Sequence, residues 1–367
     1  METIKSFKYR IYPNQTQKLA LEKNFGCVRF VYNHFLRQRI DHYAETGKSL
    51  NYHETSAFLT QLKNNPEFVW LKEVNSQSLQ FALRTLDTAY GNFFKKRAEF
   101  PKFKKRRNKQ SFKVPQHFKL VDNQLDIPKL KGLSIIQHRK LEGQAISVTI
   151  SKMPSGKYFA SFQCKIEMEE PNYTGETIGV DFGLKDFVTT SDNLKIKHPK
   201  FLRKSLSAVK RLQRNVSRKK KGSANRAKAI QKLSRKHEKV TSQRNDFLHK
   251  LSRKMIDENQ AIIIEDLALK NMVKNHKLAL SLSDSGWSEF VRQLEYKGKW
   301  YGCDIAKVNR WFPSSKRCNQ CGWINESLTL KDRKWTCLGC NTTLDRDHNA
   351  SLNILKFNTV GQTEIHA

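Results

Sequence analysis

One 23-residue stretch, "CNQCGWINESLTLKDRKWTCLGC", constrains the chain more than any other, because it sets two Cys-x-x-Cys pairs fifteen residues apart. Each pair puts two thiolates on one tight turn, and the loop is long enough for the second pair to complete a tetrahedron around Zn²⁺. A disulfide pair is disfavoured in a reducing compartment, and the symmetric, ribbon-like spacing suits zinc better than an iron-sulfur cluster. With Cys318, Cys321, Cys337 and Cys340 as ligands, no coordination position stays open. One structural Zn²⁺ is therefore expected, and catalysis must be sought elsewhere. Cys27, Cys164 and Cys303 stand alone and are expected to be buried or half-buried apolar residues.

Charge narrows the partners. Lys and Arg number 68 against 34 Asp and Glu, a net charge of +34 in 367 residues, while 38% hydrophobic residues argue for a folded chain. Such a field favours polyanions, either nucleic acid or an anionic membrane surface. No apolar run approaches the ~18 residues of a spanning helix, and "METIKSFKYRIYPNQ" lacks the apolar stretch of a signal peptide. A cytoplasmic, nucleoid-associated protein without a membrane partner is expected. The charge is concentrated between Arg203 and Lys254, where 19 Lys or Arg face two acids, Glu238 and Asp246. Within that stretch Leu233, His237, Val240, Arg244, Phe247 and Leu251 recur at steps of three and four, with a turn at Gly222-Ser223. A helical hairpin with one apolar seam follows from this spacing. Its charge imbalance favours nucleic-acid contact over mere solvation.

Along the chain, "FKYRIY" alternates as a half-buried strand, with Phe7, Tyr9 and Ile11 on one side and a stop at Pro13. Residues 13 to 95 carry helical spacing, first around a break at Gly26 and then through Leu79, Leu83, Leu86, Tyr90 and Phe93. A basic run, "KKRAEFPKFKKRRNK", interleaves with Phe94, Phe100 and Phe103. Those rings either stack on unpaired bases or pack into the helical lobe, and packing is the favoured expectation. Alternation resumes in "AISVTISKM" and "KYFASFQCKIEM", so residues 110 to 170 are expected to be β-rich and able to pair with the opening strand.

Two acids end apolar strands: Asp181 in "IGVDFG" and Glu265 in "AIIIEDL". An unpaired charge there is expensive. Each has a plain alternative, a turn cap for Asp181 and an ion pair for Glu265, but together they suggest cation ligands. Phosphodiester hydrolysis by two Mg²⁺ ions ~3.5 to 4 Å apart needs several such carboxylates converging from different elements. A third is offered by "LDRDHNASLNIL", where Asp347 or Asn349 is expected to cap a helix that buries Ala350, Leu352, Ile354 and Leu355. Asp345 is expected to be a supporting residue or a partner of Arg346.

The order of strand Asp, basic hairpin, strand Glu, zinc ribbon and helix-start Asp resembles the TnpB family of insertion-sequence proteins, relatives of the type V CRISPR effectors. The resemblance runs almost end to end, through "YRIYPNQTQ", "FPKFKKR", "IGVDFGLKDFVTTSD", "IIIEDLALKNMVKNHKLA", "GWSEFVRQLEYK", "FPSSKRCNQCG", "LDRDHNASLNIL" and "TVGQTEIHA". It implies an α/β, RuvC-like RNase H-type nuclease domain with an inserted zinc ribbon, an N-terminal helical recognition lobe and a wedge-like β-barrel. The implied boundaries are an opening barrel strand at 1–12, the lobe at 13–109 and the rest of the barrel at 110–172. The nuclease follows at 173–314 with its hairpin at 203–258, then the ribbon at 315–343, the last nuclease helix at 344–356 and a flexible tail at 357–367. By motif the catalytic, Mg²⁺-binding triad is Asp181, Glu265 and Asp347. The implied partners are a guide RNA and target double-stranded DNA with a short flanking motif, bound by a monomer with its RNA. On the residues alone, two other functions remain: a guide-directed DNA-binding repressor without cleavage, and a strand-transfer transposase acting on element ends.

Overall fold

A computed structural model describes residues 2–168, 175–329 and 331–360. The side chains of 269, 270, 277 and 358–360 are outside that description, as are the expected barrel–nuclease junction at 172/173 and, of the tail expected at 357–367, the part from 361 on, while 357–360 continue the last helix. The chain divides into two compact units, Met1–Met168 and Glu169–Ala367.

In the first unit β1 (Glu2–Tyr12) leads into three helices, α1 (Gln15–Thr46), α2 (Tyr52–Asn64) and α3 (Ser76–Phe94). Six strands follow: β2 (Gln110–Val114), β3 (Lys119–Val121), β4 (Gln124–Ile127), β5 (Leu130–Ile136), β6 (Gln144–Lys152) and β7 (Tyr158–Glu167). They form a half-barrel sheet in the order β2-β6-β7-β1-β5-β4-β3, all of its pairings antiparallel. The opening strand pairs with β7 from Glu2↔Glu167 to Ile11↔Tyr158 and buries Phe7, Tyr9 and Ile11, the side that its alternation selects.

Two local expectations change here. Helix α1 runs through Gly26 without a break. Glycine weakens a helix by about 1 kcal/mol, but Phe25, Cys27 and Val28 beside it are buried in the core, and that packing carries the helix across. Phe94, Phe100 and Phe103 do not pack inside: they are 66%, 43% and 40% exposed. The backbone beside Phe103 is held instead, since Asn33 on α1 accepts from the Lys104 amide at 2.8 Å and donates to its carbonyl at 3.0 Å. The rings of Phe93 and Phe100 meet edge-on at the surface.

The second unit begins with β8 (Glu176–Phe182), β9 (Asp186–Thr190) and β10 (Lys195–Lys197), followed by the basic helices α4 (Phe201–Ser217) and α5 (Ala224–Glu258). Then come β11 (Asn259–Glu265), α6 (Leu269–Met272), α7 (His276–Ser285), α8 (Trp287–Tyr301) and β12 (Asp304–Val308). The ribbon hairpin β13 (Lys334–Thr336) and β14 (Thr343–Asp345) precedes the last helix, α9 (Arg346–Val360). The main sheet is ordered β10-β9-β8-β11-β12, with β8, β11 and β12 parallel. Because β11 is buried on both sides, it reads as a continuous apolar run. Ile262 and Ile264 pack with Leu248 of α5 and Phe290 of α8. Ile263 points the other way, into a cluster with Val308 and Ile354 of α9.

Ser223 caps α5, accepting from the Arg226 amide at 3.2 Å. Of the expected hairpin seam, Val240 and Leu251 are buried, Leu233, Arg244 and Phe247 are half-buried, and His237 is exposed. The buried row shifts to Leu248, Ser252, Met255 and Ile256 where the end of α5 joins the sheet core.

Candidate active site and metal centre

Parallel pairing sets the site. Ile264 lies opposite Val180, so the next residues, Glu265 and Asp181, emerge at the carboxyl ends of neighbouring parallel strands. In open α/β sheets that edge is where ligands bind. Asp347 arrives from the other side, in the first turn of α9.

Close approach of α9 depends on Gly179. A Cβ built on it would lie 2.1 Å from the Ser351 carbonyl oxygen and 2.7 Å from the Leu355 amide nitrogen, so no side chain fits between strand and helix. A clasp locks the approach: the Gly179 amide donates to Ser191 Oγ at 3.1 Å, and His348 Nε2 donates to the Ser191 carbonyl at 3.1 Å.

The three carboxylates share one field. Burial pushes the Asp181 carboxyl well above its usual range, and the charges of Glu265 and Asp347 push it further, against Arg346 and Arg333. Glu265 is also raised, chiefly by burial, while the Ser314 hydroxyl that donates to its Oε1 and the charge of Arg346 work the other way. Asp347 pairs with Arg333 at 3.2 Å. Two carboxyls raised by burial at neighbouring strand ends, one of them raised further by the charges of the other two acids, are what a hard divalent cation relieves.

Asp345 has a different job. It precedes α9 and accepts from the His348 amide at 3.1 Å, which makes it the N-cap, rather than Asp347 or Asn349. Its charge partner is Lys195 at 2.7 Å rather than Arg346. Burial works against it, yet Lys195 and the helix amides hold its carboxyl below the usual range.

The inward side of α9 is more polar than its leucines suggest. Asn349, Ala350, Ser351, Asn353 and Ile354 are buried, whereas Leu352 and Leu355 are only partly so. Asn349 Nδ2 donates to the Arg317 carbonyl at 2.7 Å, and Asn353 Nδ2 donates to the Ser314 carbonyl at 2.8 Å. These amides hold the loop that presents Ser314 to Glu265. A glycine inside an apolar strand and asparagines at helical spacing were the available signals for both supports.

The four ribbon cysteines converge as their spacing predicts, with their sulfurs all within 4.8 Å of one another. Cys318 and Cys340 Sγ are 3.7 Å apart, and Cys321 and Cys337 Sγ are 3.5 Å apart. Sulfurs ~2.3 Å from one tetrahedral Zn²⁺ would be separated by about 3.8 Å. Each knuckle closes alike: Gly322 donates to the Cys318 carbonyl at 3.0 Å, and Asn341 donates to the Cys337 carbonyl at 2.8 Å. Both of those residues have positive φ, +82° and +61°. Trp335 and Leu344 supply a small apolar core beneath the sulfurs.

A nuclease-type sheet with acids at its strand ends and a four-cysteine ribbon set before the last helix defines a RuvC-like nuclease fold with an inserted zinc-ribbon module. The family model for the IS605 OrfB proteins, described as "Probable transposase", matches residues 161–276, and a Cas12f1-like TNB domain model matches 287–354. A third model, a helix-turn-helix domain of the same family, matches residues 1–48, which here form β1 and the single helix α1. A protein of Streptomyces pristinaespiralis named as an RNA-guided DNA endonuclease is 42% identical, covering 97% of this chain and 90% of its own length. InsQ of Escherichia coli K12, named likewise, is 33% identical over 97% and 92%. The chain belongs to this OrfB/TnpB family. The structure of a Cas12f1–sgRNA–target DNA complex shares the fold at a TM-score of 0.52 and 13% identity, covering 96% of this chain and 98% of that one.

Proposed function

We propose that the chain is an RNA-guided DNA endonuclease of a transposable element that hydrolyses phosphodiester bonds with Asp181, Glu265 and Asp347. The observation that carries this reading is the meeting of Asp181 and Glu265 on adjacent parallel strand ends, each raised by burial, with the charge of Asp347 acting on the same point. Two Mg²⁺ ions held by these oxygens would supply an activated water and stabilise the leaving 3′ oxygen. Ser314 fixes the rotamer of Glu265, and Gly179 admits the helix that carries Asp347. Arg333 and Arg346 balance the acids in the protein alone.

The ribbon cysteines suit one structural Zn²⁺, and the +34 charge suits a guide RNA and its target duplex. Pairing with the guide would carry sequence specificity, leaving the protein to read a short flanking motif and the shape of the heteroduplex. We assign a monomer with its RNA, acting in the cytoplasm; among the described residues no helix is long and apolar enough to cross a membrane.

The test is purification followed by cleavage. A discrete RNA should copurify and direct Mg²⁺-dependent cutting of a matching duplex. Asp181→Ala should abolish the cutting while RNA and target stay bound. Element ends joined by RNA-free protein would point to a transposase, and target binding by the unmutated protein without cleavage would point to a repressor.

A further inference from the structure

A short loop is pinned to Glu265 at both ends. Val308, the last residue of β12, lies opposite Glu265 in the sheet register, so the chain leaves the sheet beside that carboxylate. Six residues on, Ser314 returns to donate its hydroxyl to the same Glu265. At the crest sits Trp311, 86% exposed, the highest exposure among the large hydrophobic side chains described.

The loop is stiff on both sides of that indole. Asn309 Oδ1 accepts from the Trp311 amide at 2.9 Å, and the Asn309 carbonyl accepts from Phe312 at 3.0 Å. Arg310 pairs with Asp266 at 2.5 Å, and the Phe312 ring packs on Phe357 at 4.7 Å between centroids. Both neighbours of Trp311 are therefore anchored, and its backbone is capped. Exposing a large rigid apolar ring costs free energy in water, and nothing in the loop recovers it.

We propose that Trp311 is a positioning residue whose indole stacks on an unpaired base of the DNA strand beside the bond that is cut. This rests on the nuclease reading above and adds a substrate class to it: a strand whose bases are open, since an indole face stacks on any unpaired base and reads no sequence. The bulk of the ring would set the sugar-phosphate backbone against Glu265 without touching the reacting atoms.

The experiment is a two-by-two cycle with the guide-loaded protein, measuring single-turnover cleavage. Trp311→Ala is combined with target strands carrying one abasic site, walked across the cut position. Either change alone should slow cleavage about tenfold at the matching position. The two together should be no slower than either alone, because both remove one contact, and Trp311→Phe should recover most of the rate. Effects that multiply, or an alanine variant as fast as wild type on every strand, would overturn the proposal. Unchanged thermal unfolding of Trp311→Ala separates stacking from damage to the fold. Cleavage surviving in Asp181→Ala would instead bring down the underlying nuclease assignment.

Discussion

The ribbon cysteines and the sheet carboxylates make an instructive pair. All four thiols come from 23 consecutive residues, and two matching knuckles bring their sulfurs to within 4.8 Å of one another. The acids come from β8, β11 and α9, which span more than 160 residues of chain, and the charges of Glu265 and Asp347 reach Asp181 because a sheet and a helix meet at Gly179. A local site is assembled by turns. A dispersed one is assembled by the core, and its repelling charges must be held together by the rest of the fold.

If that contrast is right, the cysteine site should fail locally and the carboxylate site globally. Cys318→Ser should have the largest effect, since structural zinc contributes roughly 10–16 kcal/mol in small zinc folds. Mass spectrometry should find no bound zinc, and proteolysis should cut first within residues 315–343. Zinc retained at one ion per chain would contradict the four-thiolate site.

Gly179→Ala comes next. Its methyl must displace α9 backbone, so the whole second unit should lose about 3 kcal/mol in denaturant unfolding, and cleavage should fall even though no acid was touched. Unfolding and cleavage both at wild-type levels would mean that the helix yields without moving Asp347.

Asp181→Asn should act in the opposite direction on stability. A carboxyl raised on folding makes the native state bind more protons than the unfolded state, so stability falls as pH rises through the raised value. The asparagine variant, without metal, should therefore unfold later than wild type at neutral pH and lose that advantage near pH 3. Mg²⁺ should raise the melting temperature of wild type more than that of the variant. Identical pH profiles would mean that folding does not raise the Asp181 carboxyl.

The smallest effect is expected for Asp345→Ala, which removes an N-cap and a partly exposed ion pair, about 1 kcal/mol. Cleavage should survive far better than in Asp347→Ala. Equal losses would erase the distinction between the two aspartates.

How much of this could be read from the chain follows the same division. Cysteine spacing is a local property, and the ribbon was legible from "CNQC" and "CLGC" alone. Asp181 and Glu265 stood out because a charge at the end of an apolar run needs a reason. Their supports did not: Ser314, Arg333 and Asn353 look like ordinary polar residues until tertiary packing places them. The cap of α9 is not legible in the sequence, because helix-start preference does not distinguish among Asp345, Asp347 and Asn349. Only the position of the strand end decides it. Likewise Gly26 reads as a break only because propensity omits the core packed against α1.

The ribbon's last strand ends at Asp345 and the nuclease helix starts at Arg346, with no linker residue between them. Arg333, at the other root of the hairpin, is paired with Asp347. Mechanically this is a lever without slack: any tilt of the ribbon moves the first turn of α9, and Asp347 with it.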